Sequence, residues 1–212
     1  MNMEKKFELT DNFIINAFGV KLFQIKCTKS FKYAKEGDLG GYVEKDENLD
    51  QESDAWVSGN AEVSGDAWVS GDAWVSGNAE VSGNARVSGD ARVAGNARVA
   101  GNAWVSGDAR VAGNARVAGN AWVSGNARVY GYAEIDNNNK HCGFDCFGSA
   151  NRHTHAYLTK ENKVEITCGC FRGSIEEFEK RVEETHSGTI YEKQYKAIID
   201  VIKIKFGLTD LI

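Results

Sequence analysis

Residues 85–105 read ARVSGDARVAGNARVAGNAWV, in which one six-residue unit occurs again and again. A valine or isoleucine recurs every six residues from Val57 to Ile135, with an alanine two positions before it. A glycine lies two positions after each valine, and asparagine or aspartate follows that glycine in nearly every unit. A period this strict identifies a repeat architecture.

The unit has a direct physical interpretation. Ala-x-Val places alanine and valine on one side of a short strand and the middle residue on the other. Glycine followed by Asn or Asp supplies the positive φ angle that a tight corner needs. Three strands and three corners close one triangular coil, and successive coils stack roughly 4.8 Å apart. The sequence therefore predicts a mainly β protein, with a left-handed parallel β-helix of about 4–5 coils over residues 54–136.

These hexads resemble those of the hexapeptide-repeat left-handed β-helix family, whose repeat runs aliphatic, x, x, x, small, x. The family is best known for acyltransferases, which place a catalytic histidine beside the coils and use loops that break the repeat. Here neither a histidine nor an insertion falls between Val57 and Ile135, so we expect a protein that is not an enzyme. Acyl transfer stays open as an alternative. Because members of the family are usually trimers, the resemblance also implies a homo-oligomer, with a trimer favoured.

Sorting the outward residues coil by coil gives one column for each face. Tryptophan and arginine dominate two of these columns, and both residue types are enriched at protein-binding hot spots. The same pair suits nucleotides or nucleic acid, because arginine binds phosphate and tryptophan stacks on bases. Arg86 is expected to lie between two Trp rings in a cation–π stack. The predicted binding or oligomer-interface residues are Trp68, Arg86, Trp104 and Trp122 on one face, and Trp56, Trp74, Arg92, Arg110 and Arg128 on another.

The corner residues form columns as well. One corner carries asparagine in successive coils from Asn60 to Asn114, and stacked asparagines can form amide ladders. Another carries aspartate from Asp54 to Asp108. Those carboxylates suit a hard cation such as Ca²⁺, or they are solvated turn residues.

Composition narrows the class of protein. The net charge is −5, and no segment is basic enough to indicate generic binding to duplex nucleic acid. No apolar run approaches the ~18 residues of a membrane span, and the polar N-terminus does not read as a secretory signal. An odd number of cysteines, 5, argues against an oxidised framework. We therefore expect a cytoplasmic protein with no membrane contact, in the host cell if it is phage-encoded.

Residues 1–53 are predicted to be an N-terminal β-hairpin cap and entry segment, because an open solenoid end must be covered. Strands are expected at residues 13–15 and 20–27, and the register slips because Val57 follows Leu49 by eight residues. The entry combines the step Gly40-Gly41-Tyr42-Val43 with Asn48-Leu49-Asp50-Gln51-Glu52. In both it resembles hexapeptide-repeat proteins of phages, prophages and enteric bacteria.

Residues 137–212 are predicted to be a separate ββαα domain. Strands are expected at residues 154–158 and 164–171. Ser174 and Glu177 form a capping box that starts a helix ending near Thr185, and a second helix should span about residues 191–206. The stretch from Cys168 to His186 resembles a small domain that recurs in phage proteins.

The same domain carries a possible zinc site. Its cysteines and histidines occur at the spacings C-x₃-C, H-x-H and C-x-C, and zinc uses such ligands. Strand alternation would put the last two cysteines on the same side, where buried reduced cysteines are the alternative. The candidate ligands are Cys142, Cys146, His153, His155, Cys168 and Cys170.

Together these features favour a non-enzymatic, phage-type protein that acts by binding. The most specific hypothesis is an antagonist of a bacterial defence system, such as an anti-CRISPR or another inhibitory or sequestering protein, whose partner is a host defence protein. An alternative is a structural phage component that assembles through its faces. The face that carries Trp68, Trp104 and Trp122 is the expected contact surface in either case.

Overall fold

Short parallel strands make up most of this protein, whose structure is a computed structural model that describes residues 5–208. The chain begins with β1 (Phe7–Ile15), β2 (Lys21–Cys27), β3 (Leu39–Val43) and a 3₁₀ turn (Asp46–Asn48). Each hexad then contributes one strand, and β4–β17 are Trp56–Val57, Glu62–Val63, Trp68–Val69, Trp74–Val75, Glu80–Val81, Arg86–Val87, Arg92–Val93, Arg98–Val99, Trp104–Val105, Arg110–Val111, Arg116–Val117, Trp122–Val123, Arg128–Val129 and Glu134–Ile135. A second 3₁₀ turn (Asn138–Lys140), β18 (His141–Phe147), β19 (Arg152–Leu158), β20 (Val164–Cys168), β21 (Phe171–Gly173), α1 (Ile175–His186) and α2 (Ile190–Lys205) follow.

The hexad strands stack into a parallel β-solenoid of about five turns, as predicted. Strands three hexads apart pair in parallel, so that Arg92 lies in register between Trp74 and Arg110. Three faces result. We call β6, β9, β12 and β15 the Trp face, β4, β7, β10, β13 and β16 the Arg face, and β5, β8, β11, β14 and β17 the Glu/Arg face.

The solenoid interior consists of the inward valines and alanines, all of them buried. The corners depend on glycine: Gly107 has a φ of +64°, and a Cβ there would lie 3.0 Å from the backbone nitrogen of Gly125 in the next coil. Outside the corners, asparagine side chains form the predicted ladders. The Nδ2–Oδ1 distances are 3.1–3.2 Å from Asn60 to Asn114, and 3.0–3.1 Å from Asn84 to Asn120.

The N-terminal segment caps the first coil and extends the Glu/Arg face: β3 pairs in parallel with β5, and β2 and β1 follow as antiparallel strands. The predicted register slip is present, because Leu49 bridges Val69, 20 residues on, whereas later coils pair at 18. Lys6 secures this wider corner. Its buried ammonium donates hydrogen bonds to the carbonyl oxygens of Ser53 (2.6 Å) and Ala55 (2.7 Å).

The C-terminal region differs from the predicted ββαα arrangement. Its sheet has the order β18-β19-β20-β21, so β18 and β21 are strands that sequence reasoning missed. The expected strand over residues 164–171 is broken at Gly169, which has a φ of +60°. Both helices form as predicted, and the capping box of Ser174 and Glu177 is present at the start of α1. The predicted terminal segments reach residues 1 and 212, and their outermost residues, 1–4 and 209–212, lie outside the described residues.

Candidate protein-binding surface

On the Trp face the outward column beside the tryptophans is serine in all four coils, at Ser70, Ser88, Ser106 and Ser124. Trp68, Trp104 and Trp122 expose 43%, 41% and 51% of their surfaces. The rings of Trp104 and Trp122 stack with their centroids 5.3 Å apart and their planes 9° apart. Trp104 Nε1 donates a hydrogen bond to Ser88 Oγ at 3.2 Å, which helps to hold the ring in place. The result is an exposed, stacked aromatic surface on a parallel sheet.

The tryptophans of the Arg face have a different environment, which corrects the prediction that they are available for binding. Trp56 is only 3% exposed because Phe31 packs against it edge to face, with the centroids 5.4 Å apart. Tyr33 stacks on Trp74 at 5.6 Å, with the ring planes 21° apart. Lys32, between those two aromatics, pairs with Asp72 at 2.7 Å. The chain's own N-terminal segment therefore occupies this part of the solenoid surface.

The predicted arginines also divide by environment. Arg86 lies in register between Trp68 and Trp104, as expected. Among the described side chains, the expected cation–π stack of Arg86 is not formed. Within residues 5–208 the arginine–tryptophan cation–π contact is on the Arg face, where the Arg92 guanidinium lies 5.8 Å from the Trp74 ring centroid. The outward position next to Arg92 is occupied by Arg110, which is exposed. Arg128 instead donates a hydrogen bond to the Gly169 carbonyl at 2.8 Å.

The C-terminal sheet closes the other end of the solenoid. Tyr157 of β19 is fully buried and belongs to the solenoid core. Its hydroxyl accepts a hydrogen bond from the Tyr130 backbone nitrogen at 3.3 Å and donates one to Glu165. Asn138 Oδ1 accepts a hydrogen bond from the Trp122 backbone nitrogen at 2.8 Å. These contacts satisfy strand-edge groups that would otherwise pair with another chain.

The predicted zinc ligands are not brought together. Alternation along β19 places His153 and His155 on the side facing the solenoid, whereas Cys168 packs among the side chains under the helices. Cys170 lies beyond the turn at Gly169 and is exposed, whereas Cys168 is buried, so the two do not share the buried environment that the sequence allowed. Cys142 packs on the helix side and Cys146 is exposed. Among residues 5–208, no group of three or more His, Cys, Asp or Glu side chains could hold a metal ion, and this includes the aspartate corner column.

A histidine pair lies on the solenoid side of the C-terminal sheet, and sequence reasoning did not link these residues. His141 Nδ1 is 3.0 Å from His155 Nε2, and His155 Nδ1 is 3.3 Å from the Arg128 carbonyl oxygen. Burial lowers the pKa of His141 to about 4 and that of His155 to about 3. Both imidazoles are therefore neutral near pH 7, and they act as hydrogen-bonding parts of the end cap. Sequence reasoning lacked the β18–β19 pairing, which brings the two histidines together.

The fold and its surface define a β-solenoid repeat protein. Three stretches of the hexads, residues 79–94, 91–107 and 109–125, match the family model for the YdcK β-solenoid repeat. A search of curated proteins finds no sequence that matches the chain. Within residues 5–208, neither helix is long and apolar enough to cross a membrane.

Proposed function

We propose that this chain is a non-catalytic binding protein whose Trp face contacts another protein. The observation that carries the proposal is the contrast between two tryptophan columns. Trp56 and Trp74 are covered by aromatic rings of the chain itself, whereas Trp68, Trp104 and Trp122 stay exposed on a sheet of the same construction. Exposed, ordered tryptophans are the kind of residue that dominates the energy of protein interfaces.

The covered column indicates what kind of partner the open one accepts. Phe31 and Tyr33, two residues apart, lie on tryptophans of adjacent coils, and Lys32 pairs with a corner carboxylate. The segment that carries these two rings turns, since the Phe31 backbone nitrogen donates a hydrogen bond to the Ala34 carbonyl oxygen at 2.9 Å, and it places one ring on each of two neighbouring coils. The proposed partner therefore presents such a segment to Trp104 and Trp122.

The partner that we propose is a component of a bacterial defence system in the cytoplasm, which the chain would inhibit or sequester as an anti-CRISPR protein does. Support comes from the resemblance of the entry segment and of the stretch Cys168–His186 to phage proteins. Infection assays in bacteria that carry a defence system test this. The wild type should protect phage, Trp104→Ala with Trp122→Ala should not, and Arg116→Ala on the Glu/Arg face should act as the wild type does. The proposal fails if no defence component is recovered by pull-down and no phage is protected.

Self-association, with a trimer favoured, is the second candidate. The observation in its favour is the in-register stack of Trp104 and Trp122 beside a column of small residues, which leaves room for a second sheet to approach. Light scattering with native mass spectrometry distinguishes the two. A trimer that Trp122→Ala converts to a monomer would assign the Trp face to a second copy. A wild-type monomer leaves that face free for another protein. Acyl-CoA binding in calorimetry would contradict the non-catalytic assignment.

A further inference from the structure

A second concave site lies on the helix side of the C-terminal sheet, away from the Trp face. It is a cavity of about 160 Å³ between the turn that joins β20 to β21 and the two helices. Phe178, Val182 and Tyr195 form its buried floor, and Arg152, Arg181 and His186 stand at its rim. Ligand pockets for whole cofactors are usually larger, roughly 300–1,000 Å³, so this one fits a single ring or a comparable group.

The charge of the cavity is distinctive. Two arginines and a histidine line it and no carboxylate does, although the protein as a whole has a net charge of −5. Within residues 5–208, Arg152 makes no salt bridge. Arg181 has only a long, exposed contact with Glu184, 3.7 Å from Nε to Oε2. Guanidinium groups with unused donors favour carboxylate and phosphate oxygens.

The local sequence holds these groups in position. At Gly169 (φ +60°) a Cβ would lie 2.7 Å from Arg152 Nη1, so glycine allows the guanidinium to lie against the turn. At Gly148 (φ +72°) a Cβ would overlap the Tyr195 hydroxyl. Burial raises the pKa of Tyr195 to about 12, so that hydroxyl stays protonated and can donate a hydrogen bond.

Aromatic rings form the rest of the wall. Phe178 packs against Phe171 at 5.0 Å and against Tyr195 at 5.6 Å between ring centroids. His186 stacks on Tyr195 at 5.5 Å, with the planes 27° apart. Edges and faces of rings in this arrangement favour a further ring. The cavity thus combines an aromatic floor, to which the Tyr195 hydroxyl belongs, with cationic donors at the rim.

We propose that this cavity binds a small aromatic molecule that carries an oxyanion, either phosphate or carboxylate. The ring lies over Phe171 and Phe178, and the oxyanion accepts hydrogen bonds from Arg152, Arg181 and the Tyr195 hydroxyl. The stretch Cys168–His186, which the Trp face does not involve, supplies most of the wall. This site is independent of the proposed partner-binding function.

Alkylation of Cys170 provides a readout, because this exposed cysteine lines the cavity while the exposed Cys146 does not. The probes are phenyl phosphate, benzoate, inorganic phosphate and neutral benzyl alcohol. We expect phenyl phosphate or benzoate to slow the reaction of iodoacetamide with Cys170, measured by mass spectrometry, and to leave Cys146 unchanged. Whichever of the two binds more tightly identifies the oxyanion.

Three variants sharpen the test. Arg152→Gln and Arg181→Gln should each weaken binding by about tenfold, the effect of losing a hydrogen bond to a charged group. Lys180→Gln removes the same charge from the neighbouring position of α1, outside the cavity, and should bind as the wild type does. Thermal melting shows whether each variant is folded. Binding of benzyl alcohol or inorganic phosphate as tight as that of phenyl phosphate would overturn the proposal, and so would no binding at all or equal binding to folded Arg152→Gln.

Discussion

Two glycines on one corner allow the energetic importance of close stacking between coils to be measured. Gly107 and Gly125 occupy equivalent positions in successive coils, with φ angles of +64° and +62°. A Cβ at Gly107 would lie 3.0 Å from Gly125 N and 3.3 Å from Gly125 Cα, whereas a Cβ at Gly125 has nothing within 4 Å. Alanine therefore meets the same backbone strain at both positions and a steric clash only at the first.

The expected magnitudes follow from this difference. A left-handed conformation costs an alanine roughly 1–2 kcal/mol, so Gly125→Ala should lower the free energy of unfolding by about that amount. Gly107→Ala should lose a further ~1–3 kcal/mol, because the stacked backbone of the next coil cannot move without straining its hydrogen bonds. For a chain of this size each 1 kcal/mol corresponds to about 2–4 °C in melting temperature.

Urea unfolding followed by far-ultraviolet circular dichroism and by tryptophan fluorescence measures both variants. Trp104 and Trp122 lie three residues before the two glycines and report on the affected coils. The m-value should not change, since the surface exposed on unfolding is the same. Equal destabilisation of the two variants would refute the reasoning. It would mean that glycine is needed at this corner for its φ angle alone and not for close stacking.

Three further predictions concern the caps and the ladders. Tyr157→Ala should lower the free energy of unfolding by about 3–5 kcal/mol and speed hydrogen exchange of the backbone amides in the last coil. Tyr157→Phe should lower the free energy of unfolding by much less. The lowered pKa values of His141 and His155 mean that the unfolded state binds more protons below about pH 6.5. Stability should therefore fall between about pH 6.5 and pH 4, by up to ~1.4 kcal/mol per pH unit for each imidazole, and His155→Gln should flatten this dependence in urea titrations. Asn96→Ala removes two ladder hydrogen bonds and should lower the free energy of unfolding by about 1 kcal/mol, and an unchanged urea midpoint would contradict a stabilising ladder.

The solenoid could be predicted because the sequence features that specify it lie close together in the chain. The period of six sets strand, corner and inward residue together, so the columns on each face and the asparagine ladders follow from spacing alone. The register slip before Val57 was also visible, since it is a change in spacing. Helices α1 and α2 were predictable for a similar reason, because capping residues and apolar periodicity are local signals.

The remaining features depend on contacts between distant parts of the chain. No pattern near Phe31 indicates that it covers Trp56, and no spacing reveals that Tyr157 fills the end of the solenoid. Strand β18 was missed because Gly143 interrupts its alternation of side chains. The irregularity at Cys146, which has a positive φ angle, is a property of the folded chain and cannot be read from the sequence. The zinc hypothesis treated spacing as proximity, but alternation in the folded sheet separates the histidines from Cys168.

The caps also constrain what can occupy the Trp face. Because the N-terminal segment and the C-terminal sheet close both ends, the solenoid cannot lengthen by adding coils from another copy. The exposed column from Trp68 to Trp122 therefore spans three coil steps, or about 14 Å at the spacing of stacked strands. Such a footprint accommodates one extended segment or one sheet edge and is small for a stable interface of standard size. A tight partner must consequently reach beyond the tryptophans to the corner columns on either side, where it meets aspartates along one edge and mainly an asparagine ladder along the other. Cationic side chains flanking the aromatic pair are thus the feature expected of any partner that binds this face.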